Sequence, residues 1–281
     1  MPQAEAAAEL ADTEVKKTRR APARKPVTSV IEARQPTRVS IRDTFSLDLG
    51  YVTDSKGNPE KDANGNPVYK DHEVSAFSDR TKWVPEIDPD YVFPVEETKI
   101  LLLGLELKDR ILITGETGTG KTSLIEQVAA RLNYNVVKIN FDGCVTRQDL
   151  IGEWVVKGKE MVFQYGILVH AFKMPGTIII LDEWDTISAE CSFVLQRPLQ
   201  KDDGKILILE TGGELIPLHP DNSICATANT TGQGDETGLY SQGTKVQNYA
   251  QLNPFGLTIR MKYLEAAKES EMIGKRVYHL W

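Results

Sequence analysis

The chain has 281 residues, with 33 Lys and Arg, 40 Asp and Glu and a formal net charge of −7. No stretch is apolar over the length that a bilayer-spanning helix needs, and no secretory signal is visible. Three cysteines and four histidines show neither disulfide nor zinc-ligand spacing. These features predict a cytoplasmic protein long enough for a full α/β core, and they exclude zinc-binding and disulfide-stapled classes.

The amino terminus, residues 1–38, differs in composition from the rest. Residues 1–40 hold eight Lys or Arg and five Asp or Glu, and the segment is rich in Ala and Pro. Low aromatic content and high charge predict a largely disordered tail. A nucleic-acid-binding arm is one interpretation. A solubilising linker is favoured, because the body is acidic and no stacking aromatics interrupt the basic run.

Residues 39–82 form a lead-in that contains a turn-rich insertion at 51–73. The insertion holds two similar halves, each with an Asp three residues before Gly-Asn-Pro, at Asp54 and Asp62. Gly, Asn and Pro at these positions predict a loop or hairpin. A Ca²⁺ loop is disfavoured, because the twelve-residue ligand spacing and its terminal Glu are missing.

The predicted core covers residues 83–263 and carries a phosphate-binding loop. A β-like run at 111–114 is followed by a G-x-x-x-x-G-K-[ST] motif and then by a helical segment at 123–132. Its glycines let backbone N–H groups turn inward, the lysine reaches the β- and γ-phosphates, and the threonine hydroxyl ligates Mg²⁺. The predicted nucleotide-binding residues are Gly115, Glu116, Thr117, Gly118, Thr119, Gly120, Lys121, Thr122 and Ser123.

A second motif lies about 60 residues further along the chain. The continuous apolar run at 177–181, typical of a strand buried on both faces, ends in Asp182 and Glu183. Asp182 is the predicted Mg²⁺ ligand together with Thr122, and Glu183 the predicted base for the attacking water. The two acids could instead open a helix. The phosphate-binding loop favours the catalytic interpretation.

Asn229 ends a third buried run, at residues 223–228. From the neighbouring strand end its amide could hydrogen-bond the attacking water or the γ-phosphate. A turn-forming Asn is an equally good interpretation of the spacing alone.

A β-hairpin at residues 153–164 is predicted between two helical pieces, 146–150 and 167–172. Lys157, Lys159 and Glu160 mark its tip. A hairpin at this position has no obvious packing role in the core. We therefore expect it to contact something outside the core.

These residues together resemble the AAA+ ATPases of the MoxR and chelatase kind, whose second helix carries such a hairpin. Within that group the chain most resembles the ATPase subunits of aerobic cobaltochelatases. The resemblance runs from about residue 39 to 263 and includes Tyr165-Gly166, Gln196-Arg197, Ala226-Thr227-Ala228-Asn229 and Gly238-Leu239-Tyr240.

The resemblance implies a three-layer α/β P-loop NTPase sandwich with a central parallel sheet. It implies ATP and Mg²⁺ as cofactors, bound at the interfaces of a homo-oligomeric, hexameric ring. It implies a partner with a von Willebrand A domain and a large chelatase subunit that binds corrin and cobalt. Asn229 then matches the sensor residue that contacts the γ-phosphate.

The chain departs from the family at two points. Asn253-Pro254 stands where the family has an Asp-Arg pair, whose arginine is a candidate for contacting the ATP of a neighbouring subunit. Arg197 and Arg260 are the candidates that remain for this contact. Only residues 264–281 remain for the helical lid, so the lid is predicted to be mostly missing. Three hypotheses remain open: a chelatase motor, a MoxR-like remodelling ATPase acting on a von Willebrand A partner, and a non-hydrolysing ATP-binding assembly factor.

Overall fold

The structure is a computed structural model that describes residues 33–229 and 254–263, together with Ser270 and Gly274. The tail up to residue 32, the Gly238-Leu239-Tyr240 stretch, Asn253 and nearly all of the predicted lid remnant lie outside these residues. No helix in the described part of the chain is long and apolar enough to cross a membrane.

Five parallel strands form the central sheet of the described residues. From one edge to the other they are β11 (Leu257–Arg260), β3 (Arg110–Thr114), β10 (Ser223–Ala228), β7 (Thr177–Asp182) and β4 (Asn135–Asn140). All residues of β3 and β10 are buried, as are the first five of β7. Burial on both faces explains why these three strands lack polar alternation.

Helices cover both faces of this sheet. In the described ranges they are α1 (Ile41–Phe45), α2 (Val95–Glu106), α3 (Lys121–Leu132), α4 (Arg147–Ile151), α5 (Ile167–Lys173) and α6 (Ala189–Leu195). Along β7, Ile178 and Ile180 join a cluster with α2 and α3, whereas Ile179 and Leu181 join a cluster with α4, α5 and α6. The predicted three-layer α/β sandwich with a central parallel sheet is therefore confirmed.

The lead-in packs against the same core. β1 (Pro36–Ser40) pairs antiparallel with β2 (Glu73–Phe77), and Phe45, Val74 and Phe77 belong to the cluster that contains Leu101 and Leu124. β1 includes residues 36–38, so the ordered lead-in begins before residue 39, where the sequence predicts the tail to end. The buried Arg34 precedes β1 and donates from Nε to Asp79 Oδ2 at 2.9 Å.

The turn-rich insertion consists of two equivalent turns, as its repeat predicts. Asp54 Oδ1 accepts from the backbone N–H of Lys56 at 2.8 Å and of Asn58 at 2.9 Å. Asp62 Oδ1 makes the same bonds to Asn64 and Asn66. Each Asp therefore stabilises its own turn through its side chain, which is a structural role.

Besides the turns of the insertion, two antiparallel hairpins of the described residues lie outside the central sheet. The predicted one, formed by β5 (Gly152–Lys157) and β6 (Glu160–Tyr165), stands between α4 and α5 and is confirmed. The second, formed by β8 (Lys205–Ile208) and β9 (Glu214–Pro217), was not predicted from the sequence. Ile206 and Ile208 are buried while Leu207 between them is exposed, but all three are apolar, so the sequence offered only the turn signal Gly212-Gly213 in the connection.

Candidate nucleotide-binding site

The phosphate-binding loop connects the end of β3 to the start of α3. Gly120 caps α3 in the left-handed region, with φ of 84°. Gly115 has φ of 154°, and a side chain there would meet the Met261 carbonyl oxygen at 2.5 Å. Glycine is favoured at Gly120 by the backbone conformation alone, whereas at Gly115 both the conformation and the lack of space exclude an L side chain.

Lys121 is buried within this loop and points its amine back at the backbone. Nζ donates to the carbonyl oxygens of Gly115 at 2.8 Å and Glu116 at 2.9 Å, and to Asn229 Oδ1 at 2.9 Å. Burial lowers the pKa of Lys121, while the nearby carboxylates of Asp185 and Asp182 oppose that shift. The amine is thus held where the loop's phosphate ligand is expected.

Thr122 and Asp182 meet across the gap between α3 and β7. Thr122 Oγ1 donates to Asp182 Oδ1 at 2.9 Å, and Thr227 Oγ1 on β10 donates to the same carboxylate oxygen. A hydroxyl and a carboxylate are the oxygen ligands that Mg²⁺ prefers. The two predicted metal ligands therefore lie together and fit that ion.

Glu183 follows Asp182 in a left-handed backbone conformation, with φ of 56°. Its N–H donates to Thr227 Oγ1 at 3.2 Å. The pKa of Glu183 is raised, chiefly by burial and then by the charges of Asp182 and Asp185. A raised pKa suits a carboxylate that must accept a proton.

Asn229 lies just past β10 and is fixed through its backbone. Its N–H donates to Oδ2 of the buried Asp185 at 3.0 Å, while its side-chain oxygen accepts from Lys121 and from Thr117 Oγ1. Asp185 and Thr227 were not predicted as site residues. The sequence signal for Asp185 was a third acid after Asp182-Glu183, and for Thr227 a hydroxyl between two alanines near the end of a largely apolar strand.

These side chains line one cavity of about 320 Å³. Its walls include Gly118, Gly120, Lys121, Thr122 and Ser123 from the loop and α3, Asp182 and Glu183 after β7, and Thr227 and Asn229 from β10. The carboxyl ends of parallel strands meet at one edge of a sheet, which is where α/β folds bind ligands. The structure thus brings the predicted loop, metal and base residues together.

A second cavity of about 470 Å³ also borders the loop. It is lined by Gly115, Glu116, Thr119 and Asn229, and by Arg260 and the residues that follow it up to Tyr263. The Tyr263 hydroxyl donates to the Thr117 carbonyl oxygen at 2.8 Å. Arg260 is therefore close to the loop of its own chain.

Arg197 is not brought to this site within the chain. It lies after α6, where its Nε and Nη2 contact Asp203 Oδ2 at 3.0 and 2.8 Å. It lines a separate surface cavity of about 430 Å³ together with Arg147 and Phe193. If Arg197 contacts a nucleotide, that nucleotide must therefore be bound in the site of another copy of the chain.

Comparison with known proteins gives a consistent picture. Residues 110–241 match the model of the AAA domain, dynein-related subfamily. The chain is 34% identical over 245 residues to the aerobic cobaltochelatase subunit CobS of Sinorhizobium sp, covering 86% of this chain and 66% of CobS.

Two further relatives match over shorter stretches. The protein NorQ of Paracoccus denitrificans (strain Pd 1222) is 34% identical over 119 residues, covering 42% of this chain and 43% of NorQ. Midasin of Dictyostelium discoideum is 32% identical over 170 residues, covering 60% of this chain and 3% of midasin. The chain thus spans 66% of the length of CobS and smaller shares of the other two.

Proposed function

We propose that this chain, which belongs to the AAA+ ATPases of the MoxR and chelatase group, is a motor subunit that binds and hydrolyses Mg·ATP. We further propose that it resembles CobS in action as well as sequence, so that hydrolysis drives insertion of cobalt into a corrin ring. The corrin and the cobalt are substrates in this scheme and are held by a partner. The resemblance to CobS over 86% of the chain supports the assignment.

The observation that carries the ATPase proposal is the convergence of three strand ends on one cavity. Lys121 from the loop, Asp182 and Glu183 after β7 and Asn229 after β10 surround about 320 Å³. Lys121 supplies positive charge to the β- and γ-phosphates, and the loop N–H groups donate to them. Asn229 orients the terminal phosphate or the attacking water, and Glu183 takes the proton of that water.

Thr122 and Asp182 would hold Mg²⁺, which neutralises developing charge on the phosphates when bound. The hydroxyl groups around this carboxylate act by holding it in one orientation. Thr227 and Thr122 both donate to Asp182, so the orientation of this carboxylate is fixed before the nucleotide arrives.

We propose that the active form is a homo-oligomeric ring, a hexamer by the family resemblance. Its partners are a protein with a von Willebrand A domain and a large chelatase subunit. Support comes from the β5–β6 hairpin, whose Trp154, Val156 and Met161 are 47%, 73% and 66% exposed in the single chain. Apolar side chains grouped in this way are typical of an interaction surface.

Two other functions fit part of the data. A MoxR-like remodelling ATPase that acts on a von Willebrand A partner without corrin chemistry is favoured by the similarity to NorQ. A non-hydrolysing assembly factor is favoured by Asn253-Pro254, which replaces the expected Asp-Arg pair.

Affinity capture from the native host, followed by mass spectrometry, tests these proposals. A Glu183→Gln chain serves as bait, because a hydrolysis-deficient ATPase should keep its partners bound in ATP. We expect a von Willebrand A protein together with a large chelatase-type subunit. Recovery of the von Willebrand A protein alone would support the remodelling ATPase. Failure of the wild-type chain to hydrolyse ATP together with its captured partner would support the non-hydrolysing assembly factor.

A further inference from the structure

Thr227 carries a hydroxyl in the middle of the central sheet. It is 1% exposed on β10, whose other residues from Ile224 to Ala228 are small or apolar and also buried. A buried hydroxyl costs free energy unless it is hydrogen-bonded. The hydrogen bonds of the Thr227 hydroxyl therefore indicate its role.

The hydroxyl joins the two acidic residues that follow β7. It donates to Asp182 Oδ1 and accepts from the Glu183 N–H at 3.2 Å. β10 lies beside β7 in register, with Ala226 opposite Leu181, which brings the hydroxyl to the level of both acids. One atom thus contacts the predicted metal ligand and the backbone of the predicted base.

Glu183 needs such a restraint. Its left-handed conformation is unfavourable for a residue with a side chain and persists only where neighbours hold it. The N–H is held by Thr227, and the carbonyl oxygen accepts from Thr186 N at 2.9 Å and Thr186 Oγ1 at 2.8 Å. The backbone of Glu183 is therefore fixed on both sides.

We propose that Thr227 is a positioning residue for ATP hydrolysis, a role that rests on the proposed ATPase function. Its hydroxyl fixes the Asp182 carboxylate toward Mg²⁺ and holds the Glu183 backbone so that the side chain faces the cavity. Among the described residues the hydroxyl is hydrogen-bonded to Asp182 and Glu183, so its loss should leave the phosphate-binding loop intact. Loss of the Thr227 hydroxyl should therefore spare the nucleotide binding that depends on the loop. It should weaken the Mg²⁺-dependent part of binding and slow turnover.

The test compares Thr227→Val, which removes the hydroxyl at nearly constant volume, with Thr227→Ser, which keeps it. Thr177→Val is the matched control. Thr177 is also a fully buried threonine of the sheet, and its hydroxyl donates to the Met174 carbonyl oxygen at 2.7 Å, but it begins β7 at the opposite end of the strand.

Four quantities are measured on the full chain: ADP affinity in EDTA, the gain in affinity on adding Mg²⁺, and kcat and KM for ATP. For Thr227→Val we expect unchanged affinity in EDTA, a smaller Mg²⁺ gain and a loss of about tenfold or more in kcat, the scale of a lost hydrogen bond to a charged group. Thr227→Ser should restore both, and Thr177→Val should lower thermal stability without changing either.

The proposal is overturned if Thr227→Val keeps the wild-type Mg²⁺ gain and kcat, or if Thr227→Ser fails like the valine variant. Should Thr227→Val not fold, Thr227→Ala takes its place, because alanine already flanks this position at 226 and 228. If the wild-type chain does not hydrolyse ATP, the proposed function fails. The Mg²⁺ gain in ADP affinity then still decides the role of Thr227.

Discussion

Lys121 Nζ donates to the side-chain oxygen of Asn229 at 2.9 Å, which ties the phosphate-binding loop to the end of β10. The same amine also binds the carbonyl oxygens of Gly115 and Glu116. All three acceptors carry partial negative charge, so phosphate oxygens would compete with them for the amine. We infer that nucleotide binding frees the Asn229 amide to contact the terminal phosphate or water.

Replacing Lys121 by alanine should abolish Mg·ATP binding, because the phosphates lose their buried cationic partner. Isothermal titration calorimetry on the purified chain measures this directly. Lys138→Ala is the matched control, since Lys138 is exposed on β4 and pairs with Glu126 at 3.0 Å, away from the loop. Equal ATP affinity for Lys121→Ala and wild type would exclude the phosphate-loop assignment.

Glu183→Gln should separate binding from turnover. The amide keeps the size and much of the hydrogen bonding of the side chain, so Mg·ATP should still bind. Hydrolysis should fall about 10²-fold or more, the usual scale for a lost general base. Steady-state phosphate release and equilibrium binding on the same preparation give both quantities, and a variant with normal turnover would leave Glu183 as an acid of structural importance only.

The exposed face of the β5–β6 hairpin should matter for partners and not for nucleotide. Trp154 pairs across the hairpin with Phe163, and Val156 with Met161, so these four apolar residues share one face, on which only Phe163 is half-buried against the core. Replacing residues 154–164 by a short Gly-Ser linker should spare ATP affinity, because the site is built from other strand ends. Pull-down of the partner and its stimulation of ATPase activity should both weaken.

A milder variant, Val156→Ser with Met161→Ser, guards against misfolding of the linker variant. Leu209→Ser is its control, since Leu209 is 68% exposed beside the second hairpin. Loss of folding in both hairpin variants would make the hairpin part of the core. Unchanged partner binding and unchanged stimulation would remove the role that we assign to it.

Arg197 should act on a neighbouring chain if it is the arginine that contacts ATP. Arg197→Ala is then inactive by itself, but mixing it with Lys121→Ala should restore part of the activity, because some interfaces combine an intact loop with an intact arginine. Arg260 lies beside its own loop. If Arg260 is the catalytic arginine, it acts on the site of its own chain. Mixing Arg260→Ala with Lys121→Ala should then give no recovery, since every chain in the mixture has one of the two changes in its own site.

The two hairpins should be coupled through Tyr165. Its hydroxyl contacts the Glu214 carboxylate oxygens at 3.0 and 2.8 Å, and Lys173 Nζ lies 3.9 Å from the ring centroid. Tyr165→Phe should lower the free energy of unfolding by about 1.5 kcal/mol, the scale of a hydrogen bond to a charged group. Urea denaturation with a double-mutant cycle against Glu214→Gln isolates the pair.

This coupling should also depend on pH. Burial, followed by the hydrogen bond to Glu214, raises the pKa of Tyr165 from 10.0 to about 12. Because the folded-state pKa exceeds the unfolded one, the contribution is complete below pH 10 and is lost as pH rises toward 12. The stability difference between wild type and Tyr165→Phe should therefore shrink across that range, and a constant difference would contradict the hydrogen bond.

Parts of this molecule were predictable because the causes are local. The phosphate-binding loop requires glycines, lysine and threonine at fixed spacing, so the sequence alone indicates Lys121 and Thr122 as candidate site residues. The continuous apolar strands around Ile179 and Cys225 reflect burial on both faces. The β5–β6 hairpin has its own turn residues, and its bounds in the structure differ from the prediction by one residue at each end.

Other parts depend on residues far apart in the chain. Arg34 is buried because Asp79, 45 residues later, accepts its hydrogen bond, and no local pattern marks that pair. Thr227 and Asp185 gain their roles only when β10 lies beside β7. The second hairpin was missed because its strands are four residues each and their exposed positions include apolar residues, so the sequence shows no period-2 pattern.

The packing of the lead-in limits how far a recombinant fragment can be shortened from its amino terminus and still stay in solution. Phe45 and Phe77 lie in one apolar cluster with Leu101 and Leu124 of α2 and α3. A fragment that starts at Trp83, the predicted start of the ATPase core, would leave that cluster open to water and prone to aggregate. Fragments for biochemical work should therefore begin before Arg34, even though nothing in residues 34–82 touches the nucleotide cavity.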